Sequence, residues 1–162
     1  LALCKEHLLH WGGHPVAVGL SLHRQNIDAF TKAFIRAIFE QNGGTFEDPS
    51  LQIDLTISAS DLQPELLEEL NHLAPYGQEN PEPLLAIRKT QLAHPAKKVG
   101  SAEHFQFSLH NGTRLIQGIA WKMASKIPPA NTEIDLAFRL RWNEWNGRKN
   151  LQMVLEDWKL SS

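Results

Sequence analysis

Cysteine is almost absent from this 162-residue chain, where Cys4 stands alone. One thiol closes no internal disulfide and builds no multi-cysteine zinc centre, so a hydrophobic core has to hold the fold. The same scarcity suits a reducing compartment, and a cytoplasmic location is the expectation. Long apolar runs are missing as well; none reaches the roughly 20 residues that a membrane-spanning helix needs, and no membrane partner is expected. No basic-then-apolar leader precedes the chain, which starts at Leu1, so it is expected to be a piece of a longer protein. Also lacking are a CxxC pair, a phosphate-cradling glycine loop, a Ser-His-Asp set and an Asp-His-His run. Positive charge disappears from one whole stretch: residues 37–82 hold ten acids and neither Lys nor Arg.

That gap exposes what the net charge of −2 hides. Residues 1–36 carry Lys5, Arg24, Lys32 and Arg36 against two acids, and residues 83–162 carry twelve Lys/Arg against six acids. A chain with its cations gathered in one half has an anion-seeking half, whatever its overall pI. In the acidic middle, Glu65, Glu68 and Glu69 share one helical face, the pattern of solvated surface rather than of paired catalytic carboxylates.

Hydrophobic spacing divides the chain in two. Leu1, Cys4, Leu8 and Trp11 recur at helical steps, so residues 1–11 read as the end of an amphipathic helix; Val16, Val18, Leu20 and Leu22 then alternate as a strand over 15–22. Asn26 is placed to cap a second helix with Ile27, Phe30, Phe34, Ala37 and Ile38 on its apolar stripe, and Asn42-Gly43-Gly44 stops it. Leu51, Ile53, Leu55 and Ile57 alternate as another strand, and Ser60-Asp61 caps a third helix with Pro64 in its first turn and Leu66, Leu67 and Leu70 inward. "APYGQENPEP" at 74–83 interrupts both periods. From there the period is two: strands at 84–92, 104–110, 115–121, 134–142 and 151–158, with Asn111-Gly112 and Asn146-Gly147 as hairpin turns and a short helix in "KMASKIPP". Five strands with a helix between the third and fourth are the element order of an OB-fold barrel. The expected class is therefore α+β, with a domain over 1–73, a Pro-rich connector over 74–83 and a β-barrel over 84–162.

Three places offer chemistry. In "HWGGHP", Gly12 reads as the left-handed residue that ends a helix, with Gly13 completing the turn and Pro15 preventing its resumption. The same Gly12-Gly13-His14 also suits a phosphate, through loop N–H groups and the imidazole of His14. A helix C-terminus would add nothing to that affinity, because it carries the negative end of the dipole. His7, His10 and His14 have metal-like spacing, but Glu6 is the nearest carboxylate and sits on the wrong side of a helix, so exposed histidines are the expectation and no metal is assigned. Third, "RLRWNEWNGRKN" mixes Arg139, Arg141, Arg148 and Lys149 with Trp142 and Trp145 across a hairpin. Cations neutralise phosphates and flat rings accept unstacked bases, the combination that suits single strands; equally, one indole fills the barrel and the cations keep an edge soluble.

With these pieces in order, the chain resembles the C-terminal region of RecJ-type single-stranded-DNA-specific exonucleases. The likeness is carried by "GGHPVAVGLSL" (12–22), similar to the family's Gly-Gly-His loop of the DHHA1 domain, by "LAPYGQENPEP" (73–83) and by "AFRLRWNEWNGRKNLQMVLEDW" (137–158). Val18 replaces a frequent alanine and Glu79 a frequent glycine, the latter in a turn near the family's substrate path. The resemblance implies a DHHA1-type substrate-binding domain followed by an OB-fold domain. It implies further that Gly12, Gly13 and His14 grip a 5′ end or backbone phosphate, and that the barrel tracks the strand. The implied parent is a 5′→3′ exonuclease of DNA repair and recombination, with Mn or Mg held by a separate N-terminal DHH domain. This piece alone would then be inactive, would bind no metal, and would bind single-stranded DNA with an affinity that falls steeply with salt. Its implied partners are single-stranded DNA, that DHH domain and a single-strand-binding protein. Two alternatives stay open: a non-catalytic scaffold using the acidic segment as a contact surface, and a phosphodiesterase acting on short oligonucleotides.

Overall fold

A computed structural model describes residues 1–14, 17–46 and 48–162. The chain divides into two compact units, Leu1–Ser50 and Leu51–Ser162. The boundary therefore falls before the third helix and not at the Pro-rich segment, which belongs to the second unit.

The first unit departs from the expected order at its start. Ala2–His7 is a 3₁₀ turn in which the Cys4 N–H donates to Leu1 O at 2.8 Å, and Cys4 is its buried residue. No helix reaches Trp11. Instead β1 (His10–His14) pairs antiparallel with β2 (Ala17–Ser21), Trp11 opposite Leu20, Gly12 opposite Gly19 and Gly13 opposite Val18. The three- and four-residue spacing of Leu1, Cys4, Leu8 and Trp11 runs across two elements, so its period reports no single helix. The predicted strand over 15–22 is present as β2 from Ala17; its first two residues lie outside the described ones. α1 (Ile27–Gln41) starts after Asn26, whose side chain donates to His7 O at 3.4 Å instead of capping the helix. Gly43 and Gly44, both with φ near +70 to +80°, end it as expected.

The second unit is a sheet with its hydrophobic side rolled inward. The alternation at 51–57 shortens to β3 (Leu55–Thr56), a parallel partner for β4 (Leu85–Thr90). Ser60-Asp61 does not cap the third helix: Ser58 and Asp61 form a reciprocal capping box on a separate 3₁₀ turn over Ala59–Asp61, and α2 (Pro64–Asn71) follows from Gln63 with Pro64 at its start. Leu67 of α2 is buried, as is Leu62 before it, both in the hydrophobic core of the sheet. After α2, Tyr76 OH donates to Leu70 O, and the Asn80 amide donates to Leu73 O and Pro75 O at 2.9 and 3.0 Å. The Pro-rich segment is thus pinned in place by hydrogen bonds.

β5 (Lys97–Val99), β6 (His104–His110), β7 (Leu115–Ala120), β8 (Ile134–Trp145) and β9 (Arg148–Leu160) complete a seven-stranded sheet, ordered β3-β4-β8-β9-β7-β6-β5. The five expected strands are all there; β3 and β5 are short additions at the two edges. The sole parallel ladder among those five joins β7 to β9, and β8 pairs antiparallel with β4 and β9. No ladder joins β4 to β6 among the described residues, but the Ala93 N–H just after β4 donates to Ser108 O of β6 at 2.8 Å. Phe105, Phe107, Leu109, Leu136, Phe138, Leu140 and Met153 fill the interior. "KMASKIPP" forms no helix: Lys122 takes φ +56°, and Met123 and Ile127 reach the core from an irregular path.

Candidate nucleic-acid interface

Strand parity sorts the six hairpin residues singled out by the sequence. Successive side chains of a strand point to opposite faces. Leu140 and Leu151 point into the core, so Trp142 and Lys149, which share their parity, lie on that side; Arg139, Arg141, Trp145 and Arg148 face outward. Trp142 packs against the core cluster, and the Lys149 ammonium stands 4.6 Å from its ring centroid. That cation is engaged by an indole rather than displayed along a track.

The outward arginines divide again. Arg139 pairs with Glu156 and lies 3.7 Å from Glu82, and Arg141 pairs with Glu82. Two of the four cations expected to meet phosphate are therefore neutralised by carboxylates of the same unit, one of them at the end of the Pro-rich segment. Trp145, 73% exposed, and Arg148 stand opposite each other at the tip of the β8–β9 hairpin. They line an open groove of about 890 Å³ with Trp121, which follows β7 and is 55% exposed. Ile119 is also part of its lining, and Gln106, Asn143, Asn150 and Gln152 contribute side-chain amides.

Trp121 ends the strand expected over 115–121, and with Lys122 as its one adjacent cation it lacks the mixture of Arg, Lys and Trp that marks the hairpin. Its setting is specific nonetheless. His104 approaches it edge-on, with ring centroids 4.9 Å apart, and the Nδ1 of His104 accepts the Lys122 N–H at 2.9 Å. The imidazole therefore holds both the backbone after Trp121 and the indole itself.

Gly12, Gly13 and His14 lie elsewhere, in the first unit. All three are exposed on β1, within a sheet rather than at a helix end, so the helix-stop reading and the dipole argument attached to it do not apply. Gly13 has φ +154°, and a Cβ there would run into the backbone of Ala17 and Val18; a Cβ on Gly12 would meet open space. A side chain is thus excluded at Gly13 by the pairing with β2 and has room at Gly12. His7 Nε2 is 3.5 Å from Glu6 Oε1 within the 3₁₀ turn, so the two side chains meet, against the expectation from sequence. Among the described residues no three His, Cys, Asp or Glu gather into a metal-holding group. The donor set present there does not fit a Mn or Mg ion.

A family model described as the RecJ OB domain matches residues 53–157. The single-stranded-DNA-specific exonuclease RecJ of Bacillus subtilis (strain 168) is 27% identical over 162 residues, covering 97% of this chain and 20% of the relative. The enzyme of the same name from Thermus thermophilus is 32% identical over 150 residues, covering 91% of this chain and 20% of its own length. A crystal structure of RecJ in complex with Mn2+ from Thermus thermophilus superposes with a TM-score of 0.67 at 26% identity, over 99% of this chain and 23% of that one. The chain spans about a fifth to a quarter of the length of these relatives.

Proposed function

Since the chain belongs to the RecJ OB-domain family, we propose that it is the substrate-holding C-terminal region of a metal-dependent 5′→3′ single-stranded-DNA exonuclease. Hydrolysis is assigned to Mn or Mg in a separate domain. What this chain contributes is position: a strand held in register presents its end to the reacting centre with the orientational entropy already lost. The observation that carries the reading is the groove bearing two exposed indoles and Arg148 on the β6–β7–β9 face. This is the face and hairpin with which OB folds take oligonucleotides. Gly12, Gly13 and His14 form a second, separate contact for a terminal or backbone phosphate. Action in repair and recombination follows from the same reading.

The acidic segment gives little support to the scaffold alternative. Asp54 accepts the Leu84 N–H at 2.8 Å, Asp61 closes a capping box, and Glu82 holds two arginines, so several of its carboxylates serve this fold itself. A phosphodiesterase for short oligonucleotides would have little use for a groove of this extent.

The test is fluorescence anisotropy with a labelled oligothymidylate and the 162-residue chain. Single strand should bind more tightly than duplex of the same length. Trp121→Ala and Trp145→Ala should each weaken binding by about 5- to 100-fold, the usual range for losing one base–aromatic stack. Equal affinity for duplex, or unchanged affinity in both variants, would remove this face from substrate binding.

A further inference from the structure

Resting on that reading, the charge and amide content of the face allows a sharper statement about what it grips. Two smaller hollows adjoin the main groove. One, of about 150 Å³, shares Asn143, Asn150 and Gln152 with it and adds Arg114 and Gln117. The other, of about 250 Å³, shares Gln106 with the groove and Gln117 with its neighbour, and adds His94 and Lys97. The three are therefore one continuous path across β5, β6, β7, β9 and the end of β8. The ladder explains the continuity, since Gln106 is opposite Lys97, Gln117 opposite Gln152, and Asn143 opposite Asn150.

Along this path the recurring group is the carboxamide. Five of them, Gln106, Gln117, Asn143, Asn150 and Gln152, link the hollows. Lys97, Arg114 and Arg148 are the Lys and Arg residues among its described lining, one to each hollow, while Arg139 and Arg141 are bound to Glu82 and Glu156. A track that draws its affinity from phosphates does so by neutralising them with Lys and Arg and releasing counterions. A carboxamide instead offers a donor and an acceptor together, and can meet the polar edge of any base. Indoles add stacking that every base accepts.

We propose that this face holds the unpaired bases of a single strand, with the sugar–phosphate backbone turned outward and touched by Lys97, Arg114 and Arg148 alone. Discrimination against duplex then arises here, because paired and stacked bases offer neither their Watson–Crick edges nor their faces, only their groove edges. Discrimination among base sequences does not arise, because each amide can rotate to suit what it meets.

The experiment compares an oligothymidylate with an abasic, tetrahydrofuran-linked oligomer of equal length and charge, each titrated against the 162-residue chain over a range of salt. The abasic strand should bind about tenfold more weakly or worse, in keeping with the loss of stacking. The slope of log K against log salt for the thymidylate should be no steeper than about −2, since three cations at about −0.7 per single-strand phosphate set that limit. Equal affinity for the two strands, or a slope steeper than about −2, overturns the base-facing assignment while leaving the exonuclease reading standing. Absence of binding by either strand overturns that reading itself.

Discussion

Gly118 shows what a single hydrogen atom in place of a methyl does for this sheet. It lies directly opposite Phe107 on the neighbouring strand, and a Cβ there would overlap the phenyl ring. The ring occupies the space a side chain would take, so the pair is one packing unit. Gly118→Ala should cost about 1–3 kcal/mol, the usual range for overpacking a core, and Phe107→Leu in the same chain should recover part of the loss. Unchanged melting temperature in Gly118→Ala would show that the ring moves aside freely. Residue identity makes some of this scale legible: Trp145 and Arg148 stand out in the sequence and meet in one groove. It could not show that Arg139 and Arg141 are occupied, because Glu82 lies almost 60 positions away and only the folded sheet brings it close. Asn111 is similar: a turn residue by its Asn-Gly signature, it is also buried, donating to Leu62 O at 3.0 Å while its oxygen accepts the N–H groups of Thr113 and Arg114.

Among the elements, the β1–β2 hairpin differs most from what its sequence suggests. Two adjacent glycines have poor strand propensity, and a helix end is the natural expectation. Cross-strand pairing decides otherwise, with Gly12 facing Gly19 and Gly13 facing Val18. The two glycines should respond differently to one added methyl. Gly13→Ala would bring its Cβ within 2.7 Å of Val18 Cα and should disrupt the hairpin, seen as loss of amide protection in β1 and β2 by hydrogen exchange. Gly12→Ala meets nothing and should leave protection unchanged, so a fall in phosphate or DNA affinity in that variant reports the ligand's approach alone. Identical protection in both would mean that Gly13 is not constrained by its partner strand. Long periodic strands are legible to within a few residues, β6 at its full extent, because alternation and Asn-Gly turns act locally. β5 is not, for three residues set no period.

At the scale of the molecule, Asp135 ties distant parts of the second unit together. Its Oδ1 accepts the Lys89 N–H at 3.0 Å, where β4 breaks register, and the Ser161 hydroxyl at 2.7 Å beyond β9. Partial burial works to raise this carboxyl, but the Ser161 and Lys89 hydrogen bonds and the Lys159 and Arg88 charges together hold it below the ordinary carboxylate range. A lowered folded-state value means that the ionised form favours folding. The contribution is complete above the unfolded value, about pH 4, and is lost as pH falls through the folded one. Asp135→Asn should therefore lower stability by about 1–2 kcal/mol near neutrality, as expected for hydrogen bonds to a charged group. The gap between variant and parent should narrow below about pH 4; a gap constant from about pH 7 to about pH 2 would assign the effect to shape and not charge. The division into units is the least legible feature, since prolines that resemble a linker are bound by Tyr76 and Asn80, and Leu62 and Leu67 join the later core. The place of β9 carries a last consequence. It lies between β7 and β8 at the middle of the sheet, although it follows both in the chain. Synthesis therefore delivers the β3-β4-β8 and β7-β6-β5 ladders before the strand that joins them, and the two halves of this sheet unite only through β9.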